Sequence, residues 1–244
     1  MRRQIAPAVP AHKDVERALA AVADPKRAAN VACFFKTGKG EYGEGDLFLG
    51  ITVPVQRRIA LRHAGLPLEG IARLLASGIH EHRFTALEIL VAQYGKADEA
   101  GRERIFRFYL RHAKRANNWD LVDTSAPHIV GSHLKARPRG LLDRLAKSAN
   151  LWERRIAIVS TFAFIREGEI QDTFRVAETL LSDEHDLIHK AVGWALRETG
   201  KVSQPALLSF LRRRYASIPR TTLRYAIERL PAAQRKRILA RDFR

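Results

Sequence analysis

Residues 82–90 read HRFTALEIL, and comparable stretches return at a fixed interval: NWDLVD from Asn118, RRIAIVSTF from Arg154 and KAVGWALRE from Lys190. The starting positions 82, 118, 154 and 190 are 36 residues apart, and TTLRYAIERL opens 31 residues later at Thr221. Within the first stretch and just after it, Phe84, Leu87, Ile89, Leu90 and Tyr94 build an apolar stripe at helical spacing. Ile156, Ile158, Val159, Phe162 and Ile165 do the same further on. Working outward, Pro25, Pro54, Pro67, Pro138, Pro205, Pro219 and Pro231 each stand at the head of a periodic segment, where proline suits a helix's first turn. Period-two alternation is scarce, and no Asn-Gly hairpin signal is present. The spacing therefore predicts an all-α chain of roughly twelve to fourteen helices. A repeat of this length holds two helices, and a lone pair cannot bury its apolar face. Stacked pairs form a superhelical solenoid with a concave surface. Arg83, Trp119, Arg155 and Ala191 share one register, so Trp119 and Arg155 are expected to be neighbours.

Composition narrows the classes of function. In 244 residues there are 43 basic and 26 acidic side chains, giving a net charge of +17, and 32 of the basic residues are Arg. An Arg-rich excess fits a polyanionic partner met by bidentate contacts, although solubility or an Arg-biased composition would produce it too. The apolar fraction, 46%, is that of a globular chain with a sizeable core, not of a disordered or fibrous one. A single cysteine, Cys33, excludes an internal disulfide and argues against zinc-ribbon and iron–sulfur sites. Its setting, VACFF, predicts a small core residue. No apolar run approaches a membrane span, and the N-terminus lacks the apolar stretch of a secretory signal. The expected setting is cytoplasmic, at the nucleoid if the chain is bacterial. Residues 1–12 are expected to be loose and residues 13–244 to form one domain.

Few constellations carry chemistry. Gly38–Gly43 matches G-x-G-x-x-G but lies in no strand–helix context, so it reads as an inter-helix loop whose backbone N–H groups could touch a phosphate. His80 and His82 fall on different helix faces, and His185 and His189 share one without a third ligand, so no metal or other cofactor is expected. The stretch from Asn117 to Asp123, NNWDLVD, differs. Trp119 and Asp123 are one helical turn apart on one face, and Asp120 points elsewhere, suited to capping a helix. Trp194 and Arg197 share a face farther on. An aromatic ring with a carboxylate, flanked by arginines, suits a cationic or nucleic-acid ligand. A buried core with Asp123 paired to Arg155 fits the spacing equally well.

LFLGITVPVQRR (47–58), NNWDLVDTSAPHIVG (117–131), LWERRIAI (151–158) and KAVGWALRE (190–198), taken in order, resemble the AlkD-type DNA glycosylases, which are built of HEAT-like repeats and repair alkylated bases. The resemblance runs from about Val15 to the last helix, departing in a longer Gly-rich loop at Thr37–Asp46. It implies catalytic roles for Trp119, Asp123 and Arg155, and a DNA-facing role for Trp194; Arg197, Arg154 and Lys190 in the same stretches are expected as further DNA contacts. The implied substrate is duplex DNA carrying cationic alkylpurines such as N3-methyladenine and N7-methylguanine. The implied enzyme is a monofunctional glycosylase, a monomer that works without a base-flipping pocket. Such a base already carries its positive charge and leaves neutral, so no general acid is required. What remains is to stabilise the positive charge growing on the deoxyribose, which a carboxylate does. A non-catalytic repeat protein that binds damaged, bent or branched DNA would share the basic face without needing Asp123. A protein scaffold would need neither.

Overall fold

The computed structural model describes residues 11–243; of the expected loose stretch, residues 1–10 lie outside them, and His12 already opens the first helix. The chain divides into two compact units, residues 1–125 and 126–244. Among the described residues there is no strand, only helices and an isolated bridge between Leu47 and Ile79. The fold is all-α, as the periodicity predicts.

The first unit contains α1 (His12–Ala20), α2 (Pro25–Phe34), α3 (Val53–Arg62), α4 (Leu68–Leu75), α5 (His80–Lys96), α6 (Glu99–Arg111), a 3-10 turn at Ala113–Arg115, and most of α7 (Trp119–Ala126). Its core is the apolar stripe of α5, including Ile89 and Leu90, together with Ile71 and Leu74 of α4, Ile59 of α3, and Val15 and Leu19 of α1. The 36-residue register appears directly: the Thr124 hydroxyl of α7 donates to the Glu88 carboxylate of α5 at 2.6 Å. Pro25 and Pro54 occupy first-turn positions and Pro67 caps α4. A proline there sacrifices an N–H that would have no helical partner anyway.

The LFLGITVPVQRR stretch owes its local structure to a buried acid. The Glu81 carboxylate, 2% exposed, accepts the backbone N–H groups of Leu49, Gly50 and Ile51 at 2.9, 2.8 and 3.2 Å. Gly50 has φ of +76°, and a Cβ there would lie 2.2 Å from the Asp24 carbonyl oxygen. Gly50→Ala is therefore expected to destabilise the protein by about 2–4 kcal/mol, combining left-handed strain with a backbone clash. Denaturant titration would measure it, and a loss below about 0.5 kcal/mol would contradict this account.

The second unit opens with a π-helical turn at Pro127–Gly131. It continues through α8 (Ser132–Leu134), α9 (Gly140–Ala146), α10 (Leu151–Ser160), α11 (Phe162–Ile165), α12 (Gln171–Leu180), α13 (Asp186–Val202), α14 (Gln204–Arg214), α15 (Arg220–Ala226) and α16 (Ala232–Leu239). Here too the repeat stacks: α10 packs on α13, and α13 on α15. Gly193 permits the second contact, because a Cβ on it would meet the Thr222 carbonyl at 2.7 Å and the Tyr225 side chain at 2.4 Å. That explains the glycine in KAVGWALRE.

Candidate nucleic-acid site

In the first unit the candidate residues stand on α7. Asn118, fully buried, accepts the Trp119 N–H on its side-chain oxygen at 2.8 Å and donates its amide to Asp46 at 3.2 Å. Trp119 is half-buried. Its ring stacks on Phe35 at 5.3 Å with 9° between the planes, and Phe34 meets it edge-on at 6.1 Å. Phe34 itself is 67% exposed. Asp123 follows one turn later, also half-buried. It is close enough to the buried Tyr109 phenol to add to the rise in that group's pKa, which burial chiefly causes and the hydrogen bond to Ser125 at 2.9 Å opposes.

Behind Trp119 lies a buried ionic cluster. His80, at the start of α5, is 3% exposed. Its Nε2 faces an Asp120 oxygen at 2.8 Å, and its Nδ1 faces an Asp46 oxygen at 3.2 Å. The second Asp46 oxygen accepts from Arg83 at 2.6 Å. The imidazole is packed by Phe48 at 4.7 Å and Phe35 at 4.9 Å. Burial alone would lower the His80 pKa, but the contacts with Asp120 and then Asp46 outweigh it and raise the pKa to about 9. Burial raises the Asp46 carboxyl, and His80, Arg83 and Asn118 more than reverse this, leaving it below its usual range. Because the folded-state pKa of His80 exceeds its unfolded value, its contribution to stability is complete below about pH 6.5 and is lost as pH rises through about 9. The melting temperature of the wild type is thus expected to fall across that window more than that of His80→Gln. Parallel melting curves would contradict the assignment. Asp120 sits in the first turn of α7, where one carboxylate oxygen accepts the Leu121 N–H at 2.9 Å and the other meets His80.

In the second unit, Arg155 is 5% exposed on α10 and donates to the Leu187 carbonyl in the first turn of α13 at 2.6 Å. Arg154 is committed locally: Nε binds Asp183 at 2.6 Å, and Nη1 donates to the Ser148 and Ala149 carbonyls. Trp194 of α13 is half-buried against Phe162, with ring centres 4.3 Å apart. Arg197 pairs with Glu228 and Glu198. Lys190 pairs with Asp186 at 2.7 Å across one turn of a more exposed surface. Lys190, Trp194 and Arg197 thus share α13, and Arg154 and Arg197 are ion-paired with acids of their own unit.

Three smaller expectations change. Cys33 is exposed, not core, because no residue of α2 is buried and burial begins only at Phe35. In the Gly-rich loop, the Gly38 and Gly40 N–H groups already donate to the loop's own Glu41 and Glu44 carboxylates, at 3.0 and 2.8 Å. His185 caps α13 by accepting the Leu187 N–H, and His189 contacts the Asp183 carbonyl, so both are engaged in holding that helix start.

The family model described as DNA alkylation repair enzyme matches residues 15–230. The chain belongs to this family. No curated protein matches it. A solved structure of a predicted DNA alkylation repair enzyme from Enterococcus faecalis shares the fold, with a TM-score of 0.67 at 16% identity, covering 86% of this chain and 97% of that one. Among the described residues of this DNA alkylation repair family member, no helix is long and apolar enough to cross a membrane. Nothing local in the sequence brings His80, Asp46 and Asn118 into one cluster. Their partners lie 34 to 72 residues away, and a lone His or Asn carries no local signature.

Proposed function

We propose that the chain is a monofunctional DNA glycosylase that hydrolyses the N-glycosidic bond of cationic alkylated purines, N3-methyladenine and N7-methylguanine among them, in duplex DNA. The observation that carries this reading is Asp123 one turn beyond Trp119 on α7, both part-exposed, in a chain of the DNA alkylation repair family. Asp123 would stabilise the positive charge on the deoxyribose and orient the attacking water. Trp119 and Trp194 would pack against the sugar and backbone at the lesion, adding cation–π attraction. Arg155, its guanidinium pre-oriented by the Leu187 carbonyl, would hold a phosphate beside it. No lysine stands between Trp119 and Asp123 to form a Schiff base, so the strand would be left uncut. We take residues 13–244 to act as one domain, a monomer whose repeats line the duplex without a base-flipping pocket.

Residues 102–155 hold 13 basic and 5 acidic side chains, and residues 201–244 hold 12 and 2, the two densest sources of backbone contacts. Neutralising ~5 phosphates gives a slope of log K against log salt of about −4 to −5 on undamaged duplex. Arg155→Ala is expected to lessen that slope by about one and to cost about 1–3 kcal/mol of stability, since the Leu187 carbonyl loses its charged donor. A flat salt response, or a slope indifferent to Arg155→Ala, would contradict the phosphate contact. The test of the activity itself is chromatography of the small molecules released from methylated duplex. Free methylated purine supports the glycosylase; tight binding without release would mean a non-catalytic DNA-binding repeat protein.

A further inference from the structure

The buried cluster behind Trp119 is more than a support. An ionised carboxylate only accepts hydrogen bonds, and His80 meets a carboxylate oxygen at each ring nitrogen. Both contacts are hydrogen bonds only when both nitrogens carry protons, which is the imidazolium. The charges agree. Asp46 and Asp120 supply two negative charges, Arg83 supplies one positive charge, and the imidazolium supplies the other. Deprotonation would leave a net negative charge in a site where Asp46, His80 and Arg83 are all buried, a costly arrangement. The groups facing the ring from its surroundings are Asp46 in the loop before α3, Arg83 on α5 itself and Asp120 on α7; the end of α2 and the loop after it present the rings of Phe35 and Phe48.

Trp119 is tied to this cluster twice. It is the residue before Asp120, so the His80 contact holds the turn of backbone that carries it. Its ring lies flat on Phe35, whose ring in turn packs on the imidazole. We propose that His80, held doubly protonated between Asp46 and Asp120, is a positioning residue for base excision that fixes the first turn of α7 and the ring of Trp119. This rests on the role given above to Trp119. His80 touches no reacting atom in that scheme and acts through Trp119, so its loss slows the chemical step more than it weakens DNA binding.

The experiment has two arms. In the first, the three tryptophans are labelled as 5-fluorotryptophan, and the Trp119 fluorine resonance is assigned by its absence in Trp119→Phe. In the wild type this resonance is expected to shift and broaden as pH rises through about 9. In His80→Gln it is displaced already at neutral pH and does not titrate. Asp120→Asn removes one clamping charge and moves the transition to lower pH. In the second arm, single-turnover release of N7-methylguanine by His80→Gln falls about 10–100-fold, the penalty of a misplaced group near the chemistry, with undamaged-duplex affinity unchanged. His80→Lys, which restores a cation, recovers part of the rate.

A Trp119 resonance unmoved by His80→Gln overturns the proposal. So does a rate reduced only in proportion to the unfolded fraction seen by circular dichroism. If His80→Gln does not fold, Asp120→Asn decides: a transition at the wild-type pH overturns the proposal. Failure of the glycosylase reading looks different. There the wild type, or Asp123→Asn against it, shows no Asp123-dependent release, while the Trp119 resonance still follows His80.

Discussion

Asp123→Asn is expected to fold, to bind undamaged duplex as the wild type does, and to release N7-methylguanine about 10²–10³-fold more slowly in single turnover. The amide keeps the shape of the carboxylate and removes its charge, and the loss of one preorganised electrostatic contact to the transition state typically has that magnitude. The position makes the substitution a clean one. Asp123 lies in the middle of α7, half-buried rather than core, so an isosteric side chain leaves the packing of Leu121 and Val122 on the buried side undisturbed. Its charge adds to the rise in the pKa of the buried Tyr109 phenol, which burial dominates, so removing the charge does not alter the protonation of that phenol near neutrality. Release at the wild-type rate would remove Asp123 from the mechanism. Equal losses of release and of duplex binding would make it a binding residue instead.

The periodic part of this molecule was readable and the long-range part was not. Helices write themselves into sequence at short range, so the stripe of α5 and the first-turn prolines of α2, α3 and α14 appear where spacing predicts them. The 36-residue register shows as the Thr124–Glu88 hydrogen bond in the first unit. The same logic places Trp119 and Asp123 on one helix, since one turn separates them. What the sequence hides is how one segment answers another. Glu81 looks like a surface acid in HEHRF, yet it is buried because three N–H groups some 30 residues away point at it. His80 shows no local partner in the sequence, and its two carboxylates come from residues 46 and 120. Cys33 fails for a related reason: an apolar run predicts burial only if another element covers it, and among the described residues none of α2 is fully buried. Arg154 and Arg197 illustrate the limit of counting charge, since an Arg paired with Asp183 or Glu228 adds to the total of basic residues while its charge is already balanced locally.

The second large effect concerns the substrate's own charge. A cationic purine departs as a neutral molecule, whereas uracil departs as an anion unless an acid protonates it. No such acid is assigned beside Trp119: the imidazolium of His80 is buried and shared between two carboxylates, both of which hold its protons in place. General acid catalysis is worth about 10²–10⁴-fold, and a site without it forfeits that factor on neutral lesions. Base identity should matter far less, so N3-methyladenine and N7-methylguanine are expected to be released at rates closer to each other than to that of uracil. The central claim, that the site works by stabilising charge rather than by supplying a proton, is tested most directly by the single-turnover rate of base release from one duplex sequence carrying either N7-methylguanine or uracil at the same position. The account predicts release of N7-methylguanine well above its spontaneous rate, and release of uracil at least about 10²-fold slower. Uracil released as fast as N7-methylguanine would contradict it.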